Sequence, residues 1–399
     1  MNILVLNSGS SSIKYQFIDA DKKNLLAKGM VDRIGLSEAV LVHKPFDRDE
    51  IKISGEIIDH SVAIEYVISI LLSKNHGVIK NKDEIHAVGH RYVHGGEEFS
   101  ESTLITNDII KKLRNCIEYA PLHNPHNMRG IQACMTILPG IPQVAVFDTA
   151  FHHKMPDYAY IYGIPYVLYK RYGIRRFGFH GTSHHYVSQR AVVMMEMDIK
   201  ELRMITCHLG NGCSAAAISG GISIDTTMGF TPLEGLLMGT RSGDMDPAVV
   251  LYIISREELT LHEATTLLNK HSGLLGISGV SSDMRELEEE YKKGNSRAQL
   301  AINAFAYRLK KYIGAYAAAM GGLDAVVFTG GIGENSAFIR KLSLDNLGFF
   351  GVQLDEEKNN AKSKSERDIS TDDSPVRILV IPTNEELVIA QETSRLISR

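Results

Sequence analysis

No run of about 18 apolar residues occurs in this sequence, so no segment is expected to span a membrane. The opening MNILVLNSGS lacks a basic stretch, and its apolar run is too short for a secretory leader. Only four cysteines are present, Cys116, Cys134, Cys207 and Cys213, and no two form a CxxC pair. That scatter speaks against a disulfide framework and fits a reducing compartment, so a cytoplasmic location is expected. The formal charge is −4 with no basic block, and a nucleic-acid partner is not expected. The pattern GxxxxGK[ST] is absent, which excludes a Walker-type phosphate loop. No GxGxxG follows the first apolar run, which speaks against a dinucleotide site. HExxH is also missing, so His152, His153, His180, His184 and His185 do not read as a zinc site.

The 399 residues are 44% hydrophobic and 23% charged, an ordinary globular balance. At about 150 residues per domain, two or three domains are expected. Residues 3–6 read as a buried strand and residues 7–12 as a polar turn centred on Gly9. A returning strand follows, with Ile13, Tyr15 and Phe17 alternating against Lys14 and Gln16. The pattern recurs with strand 203–209, turn 210–212 and return 214–218, hinting at a duplicated architecture. Helical periodicity marks 107–119 and 297–320, the latter ended by Gly321-Gly322. Buried strands are expected at 325–328 and 376–381, a solvated insertion at 356–374, and a last helix from Asn384. The fold class is α/β. A boundary near Asp148–Thr149 gives one domain of 1–148 plus helix 384–399, and a second of 149–383.

Four glycine- or hydroxyl-rich turns, 7–12, 210–212, 239–243 and 330–334, are expected to follow strands. Glycine lets a backbone approach a polyanion and aim several N–H groups at it. Any one turn could simply reverse the chain; four together, with a lysine and arginines nearby, point to a nucleotide site. Lys14 is either a solvated strand lysine or a cation reaching a phosphate. Arg91 and Arg241 sit in glycine-flanked segments read as loops, where a guanidinium can fork onto carboxylate or phosphate oxygens. A structural ion pair is the alternative for each. Asp148 ends an apolar strand, where ligands of α/β proteins usually bind. His180 reads as a donor beside a charged group or as a packed core histidine. Near the end, Thr383 as N-cap would place Glu386 in a capping box and leave Glu385 at the corner for a magnesium ion. Asn7 is its plausible partner.

Read in order, these segments resemble the acetate kinase family over essentially the whole chain. The matching stretches are NSGSSSIK at residues 7–14, HRYVHGG around Arg91, FDTAFH around Asp148, FGFHGTSH around His180 and HLGNG at 208–212. GFTPLEGLLMGTRSGDMDP around Arg241, SGLLGISG before Asp283, FTGGIGENS at 328–336 and PTNEELVIA near the end complete the series. The resemblance implies two ribonuclease-H-like domains, as in actin, Hsp70 and sugar kinases, with a cleft between them, and a homodimer. It implies that Asp148, His180 and Arg241 are catalytic and that Arg91 contacts the acid. Val93, Leu122, Phe179 and Pro232 match the apolar pocket for the substrate methyl. Lys14, His208, Leu209, Gly210, Asn211, Gly212, Asp283, Met284, Arg285, Gly331, Ile332, Gly333, Glu334 and Asn335 match nucleotide-binding positions. Asn7 and Glu385 match the positions for Mg²⁺, or Mn²⁺ in its place. The implied activity is reversible transfer of a phosphoryl group between ATP and acetate, giving acetyl phosphate and ADP. Propionate in place of acetate is an alternative, because one methylene is worth only about 1–3 kcal/mol. An ATP-dependent binding protein with no small acceptor is a further one. A carboxylate acceptor is already ionised at neutral pH, so no general base is needed, and Asp148 is expected to organise magnesium, its waters or an arginine.

Overall fold

The computed structural model describes residues 1–398, and they divide into two compact units. Unit 1 is Met1–Ala150 joined by the segment from Asn384, and unit 2 is Phe151–Thr383.

Unit 1 is built on eight strands: β1 Asn2–Ser8, β2 Ser12–Asp19, β3 Asn24–Asp32, β4 Ala39–Pro45, β5 Ile51–Gly55, β6 Ala87–Tyr92, β7 Thr103–Leu104 and β8 Gln143–Phe147. They lie in the order β5-β4-β3-β2-β1-β6-β8-β7. β1 to β5 pair antiparallel in sequence, while β1, β6 and β8 run parallel. The run Ile3–Leu6 is wholly buried because both faces of β1 are covered. Leu4 and Leu6 pack with the helices His60–Leu71 and Asn124–Ile137, while Ile3 and Val5 pack with Ile389 and Ala390 of the last helix, Glu385–Ile397. That helix covers most of the expected 384–399; residue 399 lies outside the described residues. It approaches β6 so closely that a Cβ on Gly89 would fall 2.5 Å from Thr393 Oγ1 and 2.7 Å from Ile389 Cγ2.

Unit 2 carries β9 Arg203–Leu209, β10 Cys213–Ser219, β11 Ile222–Thr226, β12 Ala325–Thr329, β13 Arg367–Asp368 and β14 Arg377–Val380. Their order is β11-β10-β9-β12-β14-β13. β9 and β10 form an antiparallel hairpin, and β9, β12 and β14 run parallel. So both units place three antiparallel strands beside two parallel ones in the same order, the ribonuclease-H-like arrangement. One face of this sheet packs on the helix Gly181–Met195. The long helix Ser296–Met320 lies on β9 and β10, and Gly321 stops it in a left-handed conformation at φ 67°.

Local expectations differ from the structure in several places. β1 runs on through Asn7 and Ser8, so the first turn is only Gly9-Ser10-Ser11. The stretch 107–119 is a helix Asn107–Asn115 followed by a tighter 3₁₀ turn, Cys116–Tyr119. No strand precedes 239–243; the chain from 227 to 246 is irregular. The stretch 356–374 is not a solvated insertion: it forms a short helix and β13, and buries Asn359, Ile369 and Ser370. The last helix is capped by Asn384, whose side chain accepts from Leu387 N, in place of the capping box expected from Thr383 and Glu386. Thr383 Oγ1 instead lies 2.8 Å from Ser183 Oγ.

Candidate active site

In unit 1 the polar residues gather at the carboxyl ends of the parallel strands, where an α/β sheet normally presents its ligands. Arg91 belongs to β6 itself, which corrects its reading as a loop residue: Gly89 lies inside the strand, paired with Val5 of β1 and Val144 of β8, and only Gly95 and Gly96 fall beyond its end. Its Nε and Nη2 donate to the two oxygens of Asp148 at 2.9 and 2.6 Å, and Nη1 donates to Asn7 Oδ1 at 3.5 Å. Asp148 is 1% exposed. Of the partners expected for Asp148, magnesium, its waters or an arginine, the arginine is the one the fork shows in contact. Burial opposes the charge on Arg91, but Asp148 more than offsets it, and Glu385 and Glu386 add to the field. Glu385 opens the last helix. The Glu386 carboxyl is pushed up from its ordinary range, first by burial and then by Glu385, against the pull of Arg91 and Lys14. Lys14 is exposed on β2, paired in register with Asn7.

Asn7 and Glu385 thus share the surroundings of Arg91 and offer an amide oxygen and a carboxylate. Hard oxygen donors of this kind suit Mg²⁺ or Mn²⁺. Val93 is buried, its N–H donating to Asn127 Oδ1 at 3.1 Å, while Leu122 is 52% exposed in the turn before the helix Asn124–Ile137. Two unit 1 residues unflagged by the sequence tie down the serine turn. His60 Nε2 donates to Gly9 O at 2.7 Å, and Asn127 Nδ2 donates to Ser8 O at 2.8 Å. Each bridges more than fifty positions in sequence, so no local pattern marks it.

Unit 2 sets histidines and hydroxyls beside one arginine, Arg241. His180 precedes the helix Gly181–Met195 with φ 56°, a left-handed conformation that costs a non-glycine residue about 1–3 kcal/mol and tends to persist at working sites. Its ring stacks on His208 with centroids 4.2 Å apart. Its Nδ1 lies 2.9 Å from Ser214 Oγ, which also lies 2.7 Å from His184 Nε2. Phe179 is buried, and its carbonyl accepts from His152 Nε2 at 3.0 Å. Burial pushes His152 down to about 4, and burial also holds His184 well below its ordinary value. Arg241 Nη1 donates to Pro232 O at 3.2 Å. Gly212 brings Arg241 and His180 to one place: a Cβ there would meet Arg241 Nη1 at 3.3 Å and His180 Nε2 at 3.6 Å.

A cavity of about 720 Å³ opens beside these groups, within unit 2. Gly210, Asn211, Asp283, Met284, Arg285, Gly331, Ile332 and Asn335 line it, as do Ser282, Glu288 and Ser336, which the sequence reading missed. Arg285 is largely exposed and forks onto Asp283 at 2.6 Å. Leu209, His208, Gly333 and Glu334, also nucleotide candidates, do not line the cavity. Leu209 is fully buried in β9. His208 Nδ1 bonds Ser183 Oγ at 2.8 Å. Gly333 is buried, and Glu334 accepts from Gly330 N at 3.0 Å, pinning the turn after β12.

With this geometry in place, comparison with known proteins is decisive. The model of the acetokinase family matches residues 2–391. The chain belongs to the acetokinase family. It is similar to the acetate kinase of Halothermothrix orenii, with 56% identity over 397 residues and all of both chains covered. Its structure is similar to the crystal structure of Porphyromonas gingivalis acetate kinase, at 47% identity and TM-score 0.95 over 99% of each chain. It also resembles a propionate kinase from Francisella tularensis, at 45% identity and TM-score 0.92 over 99% of each chain.

Proposed function

We propose that this protein transfers the γ-phosphoryl group of ATP directly to acetate, reversibly, giving acetyl phosphate and ADP. The observation that carries the reading is the full-length match to acetate kinases, in a chain whose Arg91 is already forked onto a buried acid. Arg91 orients the carboxylate, with Val93, Leu122, Phe179 and Pro232 as the wall for its methyl group. Asp148 holds Arg91 and takes no proton. The 720 Å³ cavity takes the nucleotide, and Lys14 contributes a further cation. Arg241 offsets charge on the moving phosphoryl, and His180 donates to one of its oxygens. Asn7 and Glu385 hold Mg²⁺, or Mn²⁺, which when bound would neutralise phosphate charge.

Hydroxamate trapping of the acyl phosphate across short acids tests the reading. Acetate should give ATP-dependent product; nucleotide binding without product would leave only a binding protein. Transfer from isotopically chiral ATP should invert configuration at phosphorus, and net retention would reject direct transfer. The likeness to a propionate kinase favours propionate as the second acceptor, and the ratio of kcat/KM values ranks the two.

The same reading includes a homodimer. The helix Pro247–Arg256 buries none of its residues, although Val249, Leu251 and Tyr252 are 40%, 69% and 61% exposed. An apolar helix left uncovered in this way suits a second copy. Sedimentation should give a dimer mass, and a monomer would remove this part. A cytoplasmic setting is supported by four free, buried cysteines. Among the described residues no helix is long and apolar enough to cross a membrane.

A further inference from the structure

We propose that Thr206, His184 and Ser214 form a one-way hydrogen-bond relay that keeps the proton of His180 on Nε2. Its purpose rests on the phosphotransfer reading; its geometry does not. Thr206 Oγ1 lies 2.7 Å from His184 Nδ1, His184 Nε2 lies 2.7 Å from Ser214 Oγ, and Ser214 Oγ lies 2.9 Å from His180 Nδ1. Thr206, His184 and Ser214 are each 0% exposed.

The direction follows from the far end. Thr206 Oγ1 has no other hydrogen-bond partner among the described residues. A buried hydroxyl proton with one acceptor in reach goes to that acceptor, because leaving it unmade carries the full desolvation cost. Thr206 therefore donates to His184 Nδ1. Burial keeps His184 neutral, so its single proton sits on Nε2 and is donated to Ser214 Oγ. Ser214 then has one proton to give, and His180 Nδ1 is the acceptor. With Nδ1 accepting, a neutral His180 carries its proton on Nε2. That is the nitrogen beside Gly212 and Arg241.

The relay also resists a second proton on His180. Such a proton would have to enter at Nδ1, which would either leave the buried Ser214 hydroxyl proton without an acceptor or reverse Ser214 and His184 and strand the Thr206 proton. The neighbours disfavour it as well. His208 and His184 offer it no negative partner, and Arg241 adds a permanent positive charge beyond Gly212. His180 is thereby held as an uncharged N–H donor, suited to a phosphoryl oxygen, and Thr206, His184 and Ser214 are positioning residues.

The test is nitrogen NMR of the full-length protein labelled with ¹⁵N-histidine, with His180 assigned from a His180→Gln variant. The unaltered protein should show Nε2 protonated and Nδ1 bare between about pH 6 and 8, the span in which an ordinary histidine titrates. Thr206→Val removes the first proton with a side chain of the same shape. It should place part of the His180 population in the Nδ1–H form and lower kcat about tenfold, on the scale of losing an outer supporting contact. KM for ATP and acetate should stay within about twofold, because binding is not what the relay controls. Thr206→Ser should restore both readouts. If Thr206→Val does not fold, Ser214→Ala breaks the next link and should shift the same resonances. A proton on Nδ1 in the unaltered protein, or unchanged His180 resonances in the folded variant, overturns the relay. Failure of the unaltered protein to make acetyl phosphate overturns the phosphotransfer reading and leaves the NMR result to decide the relay.

Discussion

The two units share a strand order but differ in what they set at the ends of matching strands. Unit 1 sets Asn7 and Arg91 one residue before the ends of β1 and β6 and Asp148 just after β8, with Glu385 and Glu386 adding negative field. Unit 2 ends β9 in His208 and follows β12 with Gly330, and its histidines are held through hydroxyls and a carbonyl. One half works with full charges, already paired. The other combines neutral dipoles and close backbone with Arg241 and the Asp283–Arg285 pair. A duplicated scaffold therefore leaves the chemistry of its strand ends open.

The contrast is broken most forcefully at the two arginines. Arg91→Ala and Arg241→Ala should each lower kcat by about 10²–10³, the scale of losing one stabilising group. Only Arg91→Ala should also lower the urea midpoint markedly, because it leaves the Asp148 carboxylate buried without its forked partner. Equal midpoints in the two variants would erase the difference between the units.

Packing gives the next effect. Gly89→Ala would drive a methyl group into Thr393 and Ile389 and should cost about 1–3 kcal/mol. Gly331→Ala meets nothing within 4 Å and should change unfolding by less than about 0.5 kcal/mol. Equal losses would show that the last helix shifts to make room.

Acid is where the units should behave alike. Burial lowers His90 in unit 1 and His152 in unit 2 to about 4 each. The unfolded chain takes up protons near the ordinary histidine value while the folded chain does not, so stability is lost as pH falls from about 6.5 toward 4. Hydrogen-exchange protection factors, corrected for the intrinsic slowing of exchange in acid, should fall in both units over that span, and softening of one alone would sharpen the contrast.

The smallest effect is expected at Glu386. Its raised folded value means that ionisation costs stability as pH rises above the ordinary glutamate range. Glu386→Gln should raise the unfolding midpoint modestly at neutral pH and leave it unchanged in strong acid.

What the sequence made legible was local. The hairpins β1–β2 and β9–β10 show as alternation around a glycine turn, and the helix Ser296–Met320 shows as an apolar stripe with a glycine stop. Most of the cavity wall lay in glycine-rich segments already singled out. The misreadings share one cause, competition that only tertiary structure resolves. Flanking glycines made Arg91 look like a loop residue, whereas β1 and β8 hold its strand on either side. Thr383 and Asn384 both suit an N-cap; Ser183, two hundred residues away, engages the threonine. The burial of Ile369 was hidden among charges until β13 and β14 paired beside it. Ser214, Thr206 and His60 act through partners that no spacing rule connects.

The chain leaves unit 1 after Ala150 and comes back to it only at Asn384. Ile389 and Ala390 close the face of the first sheet formed by Ile3 and Val5. During synthesis the earliest strands must therefore wait, one side bare, while everything in unit 2 emerges from the ribosome. The half made first is finished last, so a stalled or prematurely released chain exposes an uncovered apolar sheet to chaperones and proteases.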